Sequence, residues 1–217
     1  MTKKLLTGFL AVLVLIAGTG NAAAQDVIYD VRVILNWSED TALNPPTDAH
    51  WSRLIAFAHS KRYSLFTDGD TASSGLALVA TNGRTNVLEA ELSEASRRNR
   101  ARAPVVLPGT PGGRAEFVFE LALSERFHRV SFATMLAPSP DWFSGISGVS
   151  LRNETEWFDE LSHPLWVWDA GADGGPDYNS ANDPTQPRQS VRLLAHPDFL
   201  RASGLQPVGE VVFTRRP

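Results

Sequence analysis

The chain has 217 residues, no cysteine and a formal net charge of −4. Disulfides and thiolate metal sites are excluded by the missing cysteine. The mildly acidic balance argues against a nucleic-acid partner, whose usual footprint is a strongly basic domain, and is compatible with binding cations.

The first element is a leader. Lys3 and Lys4 precede an apolar run from Leu5 to Ala17, and Ala22-Ala23-Ala24 supplies small residues for cleavage. That order predicts a secretory signal peptide over residues 1–24 and a mature domain over 25–217, exported to an extracellular or periplasmic compartment. The run is shorter than the ~20 residues of a membrane span. Removing it takes away two lysines and no acid, so the charge becomes −6, with Lys61 the sole remaining lysine. A domain of that size can bury a sufficient core without disulfides.

Val27, Tyr29, Val31, Val33, Leu35 and Trp37 alternate with polar residues and predict a half-buried strand. Asn44 to Asp48 reads as a turn. Trp51, Leu54, Ile55 and Ala58 fall at helical intervals, so a short helix is expected over Ala49 to His59, capped by Thr47 or Asp48. Tyr63 to Phe66 and Leu76 to Ala80 read as short strands, the latter ending at Asn82-Gly83. Residues 86–102 read as a helix, and Pro108 to Gly113 as a loop. Phe117 to Leu123 and Val130 to Thr134 alternate as strands flanking Ser124-Glu125-Arg126, a possible hairpin. Leu165 to Trp168, Val191 to Ala195 and Gly209 to Arg215 are the last strands, with a Gly-, Asp- and Pro-rich loop over 169–188. Many short strands with few helices predict an all-β sandwich or barrel.

The loop Trp168-Asp169-Ala170-Gly171-Ala172-Asp173-Gly174-Gly175-Pro176-Asp177 carries the most chemical information. Calcium takes six to eight oxygens, many from carboxylates. Two aspartates four residues apart converge only if the backbone curls, which its glycines permit. An EF-hand is excluded: Gly171 stands at its third position and Ser180 at its twelfth. Asx-turn chemistry in a solvated loop is the plain alternative.

Ala137-Pro138-Ser139-Pro140-Asp141-Trp142-Phe143-Ser144-Gly145 resembles the P-S-P-D-W-F-x-G block of the spondin domain family. Trp168-Asp169-Ala170-Gly171-Ala172-Asp173-Gly174-Gly175 resembles its W-D-A-G-T-D-S-G block, and Asn182-Asp183-Pro184-Thr185-Gln186-Pro187 its N-x-P-T-x-P block. His50-x-Ser52-x-Leu54-Ile55 with His59, then Tyr63-Ser64-Leu65-Phe66 and Ala72-Ser73-x-Gly75, are similar to its N-terminal part. The resemblance covers roughly residues 27–215. It implies an antiparallel β-sandwich, related in shape to calcium-dependent membrane-binding modules, with Asp141, Asp169 and Asp173 as calcium ligands. Ala172 replaces a Thr and Gly174 a Ser of the pattern, and neither change removes a carboxylate. Asp177 has no counterpart. Three carboxylates also repel one another unless a cation neutralises them.

Other features carry less. His50, His59, His128, His163 and His196 lack zinc-site spacing, and no Gly-x-Ser-x-Gly elbow or other nucleophile motif is present, so no catalytic residue is assigned. Trp142 and Trp168 read first as core. Arg97 to Arg102 reads as a solvated helix C-terminus, with an anionic partner as its functional alternative. The expectation is a secreted, non-enzymatic, calcium-binding adhesion or matrix-type module with an extracellular protein or polysaccharide partner. A calcium-dependent module for anionic membrane surfaces and an exported metal-dependent hydrolase are the alternatives.

Overall fold

A computed structural model of the chain describes residues 26–217. The expected leader over 1–24 lies outside the described residues. The chain begins with β1 (Val27–Asn36), β2 (His50–Trp51) and β3 (Leu54–His59), followed by helices α1 (Ser74–Asn82) and α2 (Asn86–Arg97). Then come β4 (Val105–Leu107), β5 (Arg114–Leu123), β6 (Arg129–Ala137), β7 (Trp142–Ser150), β8 (Glu160–Leu165) and β9 (Val167–Asp169). It closes with β10 (Arg192–Leu193), a 3-10 turn at Pro197–Phe199, β11 (Leu200–Arg201), β12 (Gly204–Leu205) and β13 (Gly209–Arg215).

Two antiparallel sheets stack. The first has the order β5-β1-β13-β8; the second runs β10-β9-β7-β6-β3-β4, with β2 added on β6. In β1 every second residue is driven inward, and Tyr29, Val31, Val33 and Leu35 meet Phe117, Phe119 and Leu121 of β5 and Val211 and Phe213 of β13 in the main core. The second sheet supplies Leu54, Ala56, Phe132 and Ile146 to the same core. Its other face is covered by α1 and α2, whose Leu76, Val79, Leu88 and Leu92 pack on Ile55, Phe57, Ala133 and Phe143. The architecture is therefore an all-β sandwich with two helices laid on one sheet.

This double covering explains where sequence reasoning misplaced elements. Residues 49–59 form β2 and β3 rather than a helix, because all six residues of β3 are buried. A strand covered on both faces has no alternation to read. Leu76 to Ala80 lies in α1, not a strand; its apolar residues pack against both the sheet and α2. The helix is bounded by Ser73, whose hydroxyl accepts from the Leu76 amide at 3.1 Å, and by Gly83 in the left-handed region at φ 66°. Those are ordinary start and stop signals ten residues apart.

Helix α2 stops at Arg97, short of the expected 102, and Asn99 reverses the chain with φ 53°. Residues 63–66 are an irregular segment rather than a strand, tied down where the Leu65 and Phe66 amides donate to Ser147 Oγ. The expected hairpin does not form: β5 pairs with β1 and β6 with β3 and β7, so residues 124–128 cross between the sheets. The segment 165–168 also changes sheet. Leu165 pairs with Gly209 in the first sheet, and Val167 with Ser144 in the second. Strands β4, β7 and β8 were unread in the sequence, and β10 is reduced to two residues.

Candidate metal centre

Asp141 enters the site from the turn that leads into β7. Ser139 Oγ donates to the Leu136 carbonyl and accepts from the Trp142 amide at 3.1 Å, closing that turn. Strand pairing sets Trp142 opposite Asp169, and the Ala170 amide donates to the Asp141 carbonyl at 3.2 Å. Register alone thus brings the P-S-P-D-W segment beside the end of β9.

Beyond Asp169 the backbone curls. Gly171 has φ 68° and lies so close to Gln189 that a Cβ would sit 2.3 Å from its carbonyl oxygen, so only glycine fits. The Gly171 amide donates to Asp169 Oδ1 at 2.8 Å. The next two amides, of Ala172 and Asp173, donate to Asp141 Oδ2 at 2.6 and 3.1 Å. Asp173 Oδ1 in turn accepts from Gly175 N at 2.9 Å, and its Oδ2 from Asp183 N at 3.1 Å. The loop is closed by Gly174 N to Asp183 O and Thr185 N to Ala172 O. Asx-type chemistry is therefore present, and the backbone amides of the loop bring Asp141 against the segment that carries Asp169 and Asp173.

All three side chains are buried, Asp141 completely. Burial, followed by the Asp169 charge, pushes the Asp141 carboxyl up to about 6, against the pull of its two backbone donors; Asp173 adds to the rise. Asp141 Oδ1 is buried with no hydrogen-bond partner. Asp169 Oδ2 accepts from the Arg192 guanidinium at 2.8 and 3.2 Å, and most of the Arg192 side chain is in solvent.

Among the described residues no group of three or more His, Cys, Asp or Glu side chains is arranged so that it could hold a metal ion. Backbone bonds and Arg192 occupy oxygens that a cage would have to share. The donor set nevertheless fits a hard cation: oxygen ligands only, a crowded like charge, and one buried lone-pair oxygen left unused. Asp177 is exposed and bonds its neighbour Tyr178 N at 2.7 Å, so it serves the turn.

Sequence reasoning missed Arg192 and Asp183. Arg192 could not be found, since its relevance comes from the pairing of Arg192 with Asp169 across 23 residues. Asp183 contributes mainly its backbone, which no side-chain pattern signals.

The remaining candidates resolve simply. Trp142 is core, 4.9 Å from His196 and 6.3 Å from Phe199 between ring centres. Trp168 stacks near Phe66 at 5.0 Å. His50 and His59, expected on one helix, lie on separate strands. His59 is fully buried: its Nδ1–H donates to the Ser60 carbonyl at 2.9 Å and its Nε2 accepts from Ser131 Oγ at 2.7 Å.

A family model described as Spondin_N matches residues 27–199. Spondin-1 of Gallus gallus is 35% identical over 183 residues, covering 80% of this chain and 23% of that protein. Spondin-1 of Homo sapiens is 35% identical, with 80% and 22% covered. Spondin-2 of Rattus norvegicus is 30% identical over 203 residues, covering 86% of this chain and 61% of that protein. The chain thus spans under a quarter of the Spondin-1 proteins and about three fifths of Spondin-2.

Proposed function

The chain belongs to the Spondin_N family, and from that premise we propose that it is an exported, non-enzymatic recognition module of the adhesion or matrix type that binds calcium through Asp141, Asp169 and Asp173. The single observation that carries the calcium reading is the fully buried Asp141, with one oxygen lacking any partner and two further aspartates raising its charge burden.

When bound, the ion supplies positive charge to a site whose own carboxylates repel one another. Everything else is done by the chain. Asp141 Oδ2 pins the Ala172 and Asp173 amides, so its free Oδ1 and the 169–177 loop move as one unit. Asp169, which now pairs with the largely solvent-exposed Arg192 guanidinium, would contribute a carboxylate oxygen to the ion in place of that contact. Loops 137–145 and 169–177, already tied through Asp141, would form the face where a partner is recognised. An extracellular module of this kind has a Kd of about 10⁻⁴ to 10⁻³ M.

The test is calorimetric titration of calcium into the wild type and into Asp141→Ala, Asp169→Ala and Asp173→Ala. Heat of binding in the wild type and its loss in each variant is the expected result. Retention in all three ends the ligand assignment.

A further inference from the structure

The end of the sandwich opposite the aspartates is basic. His59, Arg129 and Ser150 pair in register at one end of β3, β6 and β7, whereas Trp142 and Asp169 pair at the other. The nine residues of β6 between these ends reach about 28 Å.

At the basic end three segments meet. The Ser60 amide donates to the Arg100 carbonyl at 2.8 Å, bringing the turn after β3 against the exit of α2. Phe127 lies under two guanidinium groups, Arg102 at 5.4 Å and Arg126 at 5.7 Å, which ties the 124–128 crossing to the same exit. Between the turn after β3 and the 124–128 crossing is a cavity of about 480 Å³ lined by Ser60, Lys61, Arg62, Glu125, Arg126 and His128. Burial and the charges of Arg129, Arg152 and Lys61 hold the His128 imidazole below its ordinary value.

Around this cavity, carboxylates answer only part of the charge. Arg102 is paired with Asp26, and Arg152 lies 3.8 Å from Glu125. Lys61, Arg62, Arg100 and Arg126 are exposed and make no ion pair among the described residues. Such a concentration of unpaired cations is self-repelling and is relieved by a polyanion.

We propose that this pole binds a linear anionic polysaccharide carrying sulfate or carboxylate groups. Arginine dominates the patch, and its planar fork matches those groups in bidentate geometry. Successive anions along one chain can engage both the cavity and the neighbouring α2 exit. A membrane surface fits less well, because interfacial binding needs buried apolar area as well as charge. Among the described residues the exposed large apolar side chains are Leu43, Val118, Leu193 and Leu200, and none of them lines the cavity. The proposal does not depend on calcium, which would be bound at the other pole.

The experiment titrates a heparin-derived oligosaccharide into the chain, with and without chelator, at two salt concentrations. A parallel arm sediments the protein with vesicles of phosphatidylserine and phosphatidylcholine. Binding to the oligosaccharide that weakens with salt and ignores chelator is expected. The triple variant Lys61→Gln, Arg62→Gln, Arg126→Gln should bind at least about tenfold more weakly, since each lost cation releases fewer counterions. A control triple, Arg53→Gln, Arg84→Gln, Arg114→Gln, removes equal charge elsewhere and should leave affinity within about twofold. No oligosaccharide binding, equal loss in both triples, or binding to vesicles alone overturns the proposal. Calcium titration of the first triple should be unchanged, so failure here and failure at the aspartates are told apart.

Discussion

Replacing Asp141 with asparagine should stabilise the protein when calcium is absent. The folded carboxyl titrates at about 6 against an ordinary value of 3.8, with burial the largest cause and Asp169 next. A raised carboxyl pKa means that the folded state holds its proton more tightly than the unfolded chain. Stability from this group is therefore fully present below pH 3.8 and is lost as pH rises through about 6. At pH 8 the loss is complete and amounts to about 3 kcal/mol. Asparagine keeps an oxygen for the Ala172 and Asp173 amides and removes the charge, while its amide nitrogen takes the place of the unpartnered Oδ1. A buried amide without an acceptor costs something in return, so the net gain is roughly 1–3 kcal/mol. That corresponds to a Tm higher by about 3–10 °C for a domain of this size. At about 10 mM calcium the wild type should gain about 1–3 kcal/mol by linkage, and Asp141→Asn should gain nothing. Urea and thermal melts at pH 8, in chelator and in calcium, decide it. A variant less stable than wild type in chelator, or an equal calcium response in both proteins, refutes the reasoning.

Three further outcomes follow from the same geometry. Gly171→Ala should cost roughly 2–4 kcal/mol by urea melt, because left-handed backbone strain adds to the contact with the Gln189 carbonyl. Gly69→Ala, also at positive φ but with open space around it, should cost only about 1–2 kcal/mol. Arg192→Gln removes the guanidinium that holds Asp169 Oδ2 and should tighten calcium binding about two- to tenfold by calorimetry; unchanged or weaker binding would show that Arg192 does not compete.

His59 is held down to about 4 by burial, from 6.5, so its contribution is full above pH 6.5 and is lost as pH falls toward 4, about 3 kcal/mol in all. Because metal-free Asp141 acts in the opposite sense over part of that range, the comparison belongs in Asp141→Asn. Adding His59→Gln to that background should remove the acid-sensitive window in urea melts.

How much could be read beforehand depended on how many faces of each element meet protein. Strands β1, β5 and β13, with one face toward the core and one toward solvent, show period-two patterning and were legible nearly to their ends. Strand β3 and helix α1 are covered on more than one side, and burial erased the period that separates strand from helix. The caps at Ser73 and Gly83 were the surviving signal for α1.

At the site, the choice of Asp141, Asp169 and Asp173 came from motif resemblance. Their convergence on one end of the second sheet follows from the β7–β9 register and the Gly171 turn. The Arg192 contact depends on a two-residue strand that carries too little pattern to read. The basic pole was visible only as the run 97–102, because its other members come from turns 60–62 and 124–128, distant in sequence.

The most direct test is a crystal structure of residues 25–217 grown in calcium. It should show one ion with Asp141 Oδ1 and an oxygen from each of Asp169 and Asp173 at about 2.3–2.6 Å, and Arg192 turned away into solvent. Asp141 Oδ1 still unligated beside an intact Arg192–Asp169 pair, at saturating calcium, would contradict the account.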